Sequence, residues 1–495
     1  MIDPNLLASG AVTGEMPMDA VAELQKALTA GYGTDVSTLT GGAALRIQSL
    51  DATMQSTIQE NKHFRLFNRL PKPKAGATVD EWTEQNNVGG FLGGSTNTET
   101  GTISNATGNY NRRVGMVKYL MTQRQVSFVA TLQNAIADAE AVEYNNGALQ
   151  LLTDAEYLSF EGDSTVVPTE FDGIGAQLIA GALAGQVDTN NVLDARGNSL
   201  ASVNLVNTAA AQISKYGNFG TPTDMFCSQL VQADFDTGLD PAFRVPLPDV
   251  GNGGISLGSP VKGVRTSWGD IANQPDVFIR DESMKVPFEI NFLAQATAQV
   301  AIKPQAAAGV AGAGTAANLF SAAQAGNYYY AVAGVNAAGQ SQVLVSAQVA
   351  VAAGQKVTLT ITASAGQGET GYVIYRSRLN GNNTVSGVAI ISSEFREMAR
   401  IPVTPGGTTI YGDENQAIPG TTNAYILNLN PGATAITWRQ LLPMLKFPLY
   451  PTNSAVIPWA QLLFGYLRMS KRRHHVLIRN IVANGQNWKP FSLVV

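Results

Sequence analysis

The 495-residue chain has one cysteine, Cys227, and three histidines. A lone cysteine excludes an intramolecular disulfide framework and any Cys-rich zinc site, and three imidazoles leave little for metal or base chemistry. Charge is scarce too: Asp, Glu, Lys and Arg are 14% of residues, where about 25% is ordinary for a soluble domain. No run of 18 apolar residues occurs, so no membrane-spanning helix is expected. Residues 1–7 have neither a basic nor an apolar leader region, so no secretory signal is read there and synthesis in a cytoplasm is expected. With 45% hydrophobic residues and so few ions, much neutral surface needs covering, and other protein chains are the expected cover.

At about 150 residues per domain, the length suggests roughly three domains. The charge is unevenly placed. Glu414 is the last of the 37 acidic residues, and eight of the 32 Lys and Arg follow it. Five of those eight lie between Arg468 and Arg479, interleaved with Val476, Leu477 and Ile478, which reads as a strand rather than a disordered basic arm. Opposite signs in the two parts of the chain suit pairing within the domain or between subunits, with nucleic-acid contact and a merely solvated face as the competing readings.

Along the chain, Val21, Leu24 and Leu28, and then Leu50, Met54 and Ile58, predict narrow-striped helices within residues 14–68. Residues 69–117, with Pro71, Pro73 and the Gly-rich 86–95, cannot make a core of their own and read as a hairpin arm reaching outward. Val129, Leu132, Ile136 and Ala139 predict a long helix from about 122 to Gly147. Residues 201–300 mix a β-rich run at 202–206 with helical pieces around 206–216, an α+β texture. Residues 304–355 contain no charged side chain, which marks a boundary near 303. Beyond it, Lys356-Val357-Thr358-Leu359-Thr360-Ile361-Thr362 alternates as a half-buried strand, and further strands at 328–335, 342–351, 372–376 and 388–391 predict a small β-sandwich. Near 421 the mixed texture returns, and Trp438, Leu441, Leu442, Met444 and Leu445 suggest a short buried helix.

No catalytic constellation survives its context. Gly254-Ile255-Ser256-Leu257-Gly258 has nucleophile-elbow spacing, with Asp276 and His474 in hydrolase order, but glycines precede it and Pro260 follows where a strand and a helix are required. Gly312-Ala313-Gly314 lacks the strand a dinucleotide fingerprint needs and reads as linker. His474 and His475 fall on opposite sides of a strand, which disfavours joint metal ligation. Tyr328, Tyr329, Tyr330, Tyr372 and Tyr375 offer either a sugar-stacking platform or core packing.

The stretches 110–120 (opening Tyr110-Asn111-Arg112-Arg113-Val114), 155–163 (Ala155-Glu156-Tyr157-Leu158), 170–174 (Glu170-Phe171-Asp172-Gly173-Ile174), 220–226, 264–271 (Val264-Arg265-Thr266-Ser267-Trp268) and 471–480 (Lys471-Arg472-Arg473-His474-His475), taken in this order, resemble the major capsid proteins of tailed bacteriophages. That family has the Hong Kong 97-type fold. The resemblance spans most of the chain outside 303–421. Within the insert, the stretches 330–339, 371–376 (Gly371-Tyr372-Val373-Ile374-Tyr375-Arg376) and 411–415 resemble immunoglobulin-like or fibronectin-type modules.

The resemblance implies an α+β protein with an N-terminal arm (1–68), an extended loop (69–117), a spine helix (118–150), and peripheral and axial domains from 151–302 and 422–495, interrupted by an all-β Ig-like insertion (303–421). It implies a structural protein, not an enzyme, without cofactor or metal. Copies would assemble as hexamers and pentamers into an icosahedral shell around double-stranded DNA, held without sequence specificity. Scaffolding, portal and decoration proteins would be further partners, the virion capsid its location and the host cytoplasm its place of synthesis. Arg112, Arg113, Lys118, Lys471, Arg472 and Arg473 are the candidate inter-subunit contacts. The Lys–Asn crosslink of some family members is not carried over, because the loop tip at 86–109 has no Lys. Two other readings are a cell-surface or tail-associated protein that binds glycans through the sandwich, and a bacterial nanocompartment shell of the same fold.

Overall fold

A computed structural model describes residues 58, 60–132, 138–200, 203–238, 261–282, 301–381, 394–451 and 454–483. The chain divides into a unit of Met1–Thr57 with Ala130–Ala139 and a larger unit of Ile58–Val129 with Glu140–Val495. The second contains nearly every described residue and all the contacts discussed below.

After helix α1 (Arg65–Arg69), the chain forms a hairpin of β1 (Val79–Asn87) and β2 (Asn109–Met116), then strand β3 (Lys118–Ser127), helix α2 (Phe128–Leu132) and the long helix α3 (Ala139–Glu161). Next come α4 (Ile174–Leu183), β4 (Val192–Asp194), α5 (Asn204–Ser214), β5 (Asp224–Cys227), α6 (Gln229–Gly238), β6 (Gly263–Thr266) and β7 (Gly269–Pro275). A run of strands follows: β8 (Ala306–Ala313), β9 (Gly326–Tyr328), β10 (Tyr330–Asn336), β11 (Gly339–Gln340), β12 (Leu344–Val345), β13 (Val349–Val351), β14 (Gln355–Thr362), β15 (Gly371–Ser377), β16 (Phe395–Pro402) and β17 (Thr408–Asp413). The chain then returns through β18 (Thr422–Leu427), β19 (Ile436–Pro448), β20 (Val456–Met469) and β21 (Val476–Ile481).

The architecture is mixed α+β. One sheet of the body has the order β4-β21-β18-β5-β7-β6, so strands from before and after residues 306–413 interleave. Helix α5 packs on it through Val206, Ala209, Ala210 and Ile213, against Met225, Ile426, Val476 and Ile478. A second sheet, β19-β20-β3, lies against α3. Gln461 on β20 donates to the Tyr144 carbonyl at 2.7 Å, and Arg124 on β3 reaches Glu143 at 3.3 Å and Gln150 at 2.6 Å. At Gly147 a Cβ would stand 2.2 Å from Gln461 Oε1, so a larger residue there would displace the Gln461 side chain from this hydrogen bond.

The described residues of 306–381 and 394–413 form a two-layered β-sandwich. The sheet β17-β14-β8 faces the sheet containing β10, β15 and β16 across a core of Tyr328, Tyr330, Val357, Leu359, Ile361, Tyr372 and Ile374. The outer surface of the second sheet seats Val166 and Val167 of the body against Ala331, Ala333, Val373, Tyr375 and Phe395. An ion pair from Arg280 of the body to Glu397 and a hydrogen bond from Arg400 to the Tyr157 hydroxyl (3.2 Å) reinforce that seat.

Several expectations are corrected. Residues 118–127, expected to open the spine helix, are strand β3; each residue from Lys118 to Ser127 pairs with one from Gly465 to Val456, and alternate side chains from Tyr119 to Ser127 face solvent. The helix begins at Ala139 and continues to Glu161, past the expected end near 150; Ile136 lies outside the described residues. The apolar run around Trp438–Leu445 is strand, not helix, because register shifts between Gln440 and Leu442 and between Leu442 and Leu445 disturb its alternation into a helix-like spacing. From Asn204 the β-rich run is helical, since buried Val206, Ala209, Ala210 and Ile213 follow the helical period. The expected strand 328–335 breaks at Tyr329 into β9 and β10, which join different sheets, and 342–351 breaks likewise into β12 and β13. Gly312 and Ala313, read as linker, end strand β8. The stripes at Val21–Leu28 and Leu50–Met54, the Ser256 elbow and the strand at 388–391 lie outside the described residues.

Candidate functional site

The hairpin alternates cleanly. Asp80, Trp82, Glu84 and Asn86 of β1 point inward, as do Asn111, Arg113 and Gly115 of β2, while Val79, Glu81, Thr83, Tyr110, Arg112, Val114 and Met116 point outward. The inward row meets the basic end of the chain. Asp80 accepts hydrogen bonds from Arg439 Nε (2.9 Å) and Nη2 (3.3 Å), from the Tyr466 hydroxyl (2.6 Å) and from Arg468 Nη1 (3.4 Å). Glu84 accepts from Trp82 Nε1 (3.2 Å), Arg113 Nε (3.3 Å) and Arg472 Nη2 (3.3 Å). Arg473 donates to three carbonyls, of Asn86 (3.2 Å), Gln186 (3.2 Å) and Gly217 (3.4 Å). At Gly115 a Cβ would stand 2.2 Å from the Tyr466 ring, so only glycine lets β2 lie this close.

Electrostatics follow from this geometry. Burial alone would raise the Asp80 carboxyl, but the hydrogen bonds from Tyr466 and Arg439 and the charges of Arg439 and Arg468 hold it below the ordinary carboxylate range. Burial lowers the Arg472 guanidinium despite Glu84 beside it. These partly buried groups pair with one another, which fixes the root and direction of the hairpin. Much of the basic C-terminal charge is thereby spent inside the subunit, on carboxylates more than 350 positions earlier in the chain.

The sequence-predicted contacts separate into two groups. Arg113, Arg472 and Arg473 come together in the clamp. Arg112 pairs with Glu81 on the outer hairpin face, Lys118 donates to the Pro168 carbonyl, and Lys471 is exposed. Asp80, Trp82, Glu84, Arg439, Tyr466 and Arg468 were missed. The two-residue spacing of Asp80, Trp82 and Glu84 was the available signal.

Beyond the clamp, the hairpin presents apolar groups that touch no core. In the connection between β1 and β2, Val88 and Leu92 are each 82% exposed, Phe91 79% and Ile103 89%. The face of β19-β20-β3 turned away from α3 is also apolar. The register aligns Met121, Leu462 and Leu445, with Tyr119 edge-on to Phe464 beside them and Phe447 exposed one row further. Exposed apolar groups gathered in this way mark association surfaces.

The chemical candidates do not assemble. His475 is buried, with its pKa pushed down to about 3 by burial, and its Nδ1 accepts from Asn428 N at 3.3 Å; burial also lowers half-buried His474. Burial pushes the Cys227 thiol up to about 12. Among the described residues no group of three or more His, Cys, Asp or Glu is placed to hold a metal ion. Tyr328, Tyr330, Tyr372 and Tyr375 are fully buried and Tyr329 is half-buried, so they pack the sandwich rather than forming a platform for sugars.

No family model matches the chain. Its sequence is 26% identical over 473 residues to the major capsid protein of Staphylococcus phage S25-3, covering 93% of this chain and 95% of that one. A relative from Enterococcus phage phiEF24C is 28% identical over 468 residues, covering 93% and 94%. Among solved structures, the capsid of a native GTA particle aligns with a TM-score of 0.45 at 9% identity, covering 91% of this chain and all of that one.

Proposed function

We propose that this chain, a homologue of phage major capsid proteins along 93% of its length, is the subunit that builds the icosahedral head shell of a tailed phage. The observation that carries the reading is collinearity: the similarity to a shell protein runs almost end to end through both chains. The geometry adds a physical reason. A hairpin clamped at its root and apolar at its tip, beside an open apolar sheet face, leaves surface that a second copy would bury.

In this reading, residues 1–68 are the arm, 69–117 the extended loop, α3 the spine, and the remaining body the peripheral and axial domains of a Hong Kong 97-type subunit. The sandwich at 303–421 is the Ig-like insertion. Hexamers and pentamers enclose double-stranded DNA without reading its sequence, scaffolding, portal and decoration proteins join the particle, and synthesis takes place in the host cytoplasm. Contacts can be individually weak, because closure of a lattice multiplies them. The chain acts as structure, not as an enzyme. Burial of the tyrosines removes the support for the glycan-binding alternative.

Electron microscopy and sedimentation of the full chain, expressed with its phage's scaffolding protein, test the reading. Closed shells are expected from the native chain, and folded but unassembled subunits from a chain lacking residues 88–108. A native chain that stays monomeric beside its scaffolding protein would overturn it, and normal shells from the deletion would overturn the role given to the hairpin tip in assembly.

A further inference from the structure

We infer that Glu156 and Asp276 share one proton and thereby form a pH-set latch that holds residues 60–75 against the body. Glu156 on α3 is 0% exposed, and its two carboxyl oxygens accept the backbone N–H groups of Leu66 and Phe67, each at 2.7 Å. These amides belong to the first turn of α1, where no intrahelical acceptor exists. The contact seats Leu66, Phe67 and Leu70 in the core, with Phe67 edge-on to Trp438 at 5.1 Å.

Asp276 is 1% exposed and lies within hydrogen-bonding reach of the Glu156 carboxyl. Its Oδ1 accepts from Phe278 N at 2.8 Å, while its Oδ2 has no donor among the described residues. Two carboxylates in contact away from water cannot both stay ionised. One proton between them supplies the missing donor and leaves a single negative charge. The surrounding ions suit that charge. Arg65 of α1 faces Asp276, and Lys72, which donates to the Phe67 carbonyl at 2.8 Å, faces Glu156. Arg69 is committed to Asp224 at 2.5 Å, Asp281 accepts from Ser228, and the Cys227 thiol stays protonated.

Burial and the neighbouring Asp276 push the Glu156 carboxyl up to about 9. With the latch open and Glu156 in water, its pKa returns to about 4.3. The closed state therefore binds one proton more than the open state between those limits. Closure is strongest at low pH and weakens up to tenfold per pH unit as pH rises towards about 9. Residues 60–75 lead directly into β1, so the latch sets whether that lead-in is fixed or free.

Amide hydrogen exchange on the full chain tests the latch, as protection of the Leu66 and Phe67 amides corrected for intrinsic rates, with Leu359 and Ile361 of β14 as controls. From pH 6 to pH 8, protection at Leu66 and Phe67 should fall about a hundredfold while the controls hold. In Asp276→Asn the amide N–H takes the place of the shared proton, and the fall should shrink to roughly threefold or less. Should that chain not fold, Glu156→Gln asks the same question by removing the titrating group. Constant protection in the native chain, or a native slope in the folded variant, would overturn the inference.

Discussion

The guanidinium of Arg468 lies 4.8 Å from the centroid of the Trp82 ring while its Nη1 donates to Asp80, two residues earlier on the same strand. One cation thus engages two successive inward positions of β1, by charge and by stacking. The hairpin is therefore held in a set direction before any partner arrives.

Removing Asp80 should free that root. Asp80→Ala deprives Arg439, Arg468 and Tyr466 of a common acceptor in a partly buried site, and the loss should be about 3 kcal/mol. Urea unfolding and exchange protection of β1 amides check it; a change below about 0.5 kcal/mol would mean the clamp is ornamental.

Acid should release the same root. The Asp80 pKa is depressed in the folded chain, so its contribution is complete above the unfolded carboxylate value of about 3.9 and is lost as pH falls below it through the folded value. Exchange protection of β1 should drop below about pH 4, opposite in direction to the Glu156 latch, and Asp80→Asn should abolish the drop.

Gly115→Ala should destabilise the hairpin by about 1–3 kcal/mol through overpacking, since the new methyl meets the Tyr466 ring. Pairing it with Tyr466→Leu should recover part of the loss in the urea midpoint.

The sandwich core contains an ion pair, Arg376 to Asp413 at 2.5 Å, with Tyr330 donating to the same carboxylate at 2.8 Å. Arg376→Met leaves Asp413 buried without its cation and should cost about 3–5 kcal/mol. Calorimetry should show the sandwich transition moving down, and Arg376→Met combined with Asp413→Leu should move it back up.

Met121 is 63% exposed on the open sheet face. Met121→Lys should change monomer stability by less than about 0.5 kcal/mol yet suppress assembly measured by light scattering. Normal assembly would remove this face from the interface.

What could be read in advance depended on whether the governing contacts were local. Val357, Leu359 and Ile361 alternate because β14 is a central strand with one buried face, and that pattern survives in any seven-residue window. β19 misled because its bulges change the register twice. β3 carries Lys118, Tyr119, Leu120 and Met121 in an order that suits a helix as well as a strand, and only β20, more than 330 residues later, decides the matter. Only basic members of the clamp stand out in the sequence, and there they read as contacts between subunits. Arg113, Arg472 and Arg473 stood out by charge, but nothing local assigns Arg439 and Arg468 to Asp80 or Arg472 to Glu84.

Cys227, buried at the end of β5 where Val231 and Phe235 of α6 pack over the body sheet, is the chain's sole sulfhydryl and is barely acidic. Maleimide reagents should pass it by, so one cysteine engineered at Val310 or Ile410 on the sandwich exterior would take up a dye, a gold cluster or an antigen at a single address, with no background thiol to delete first.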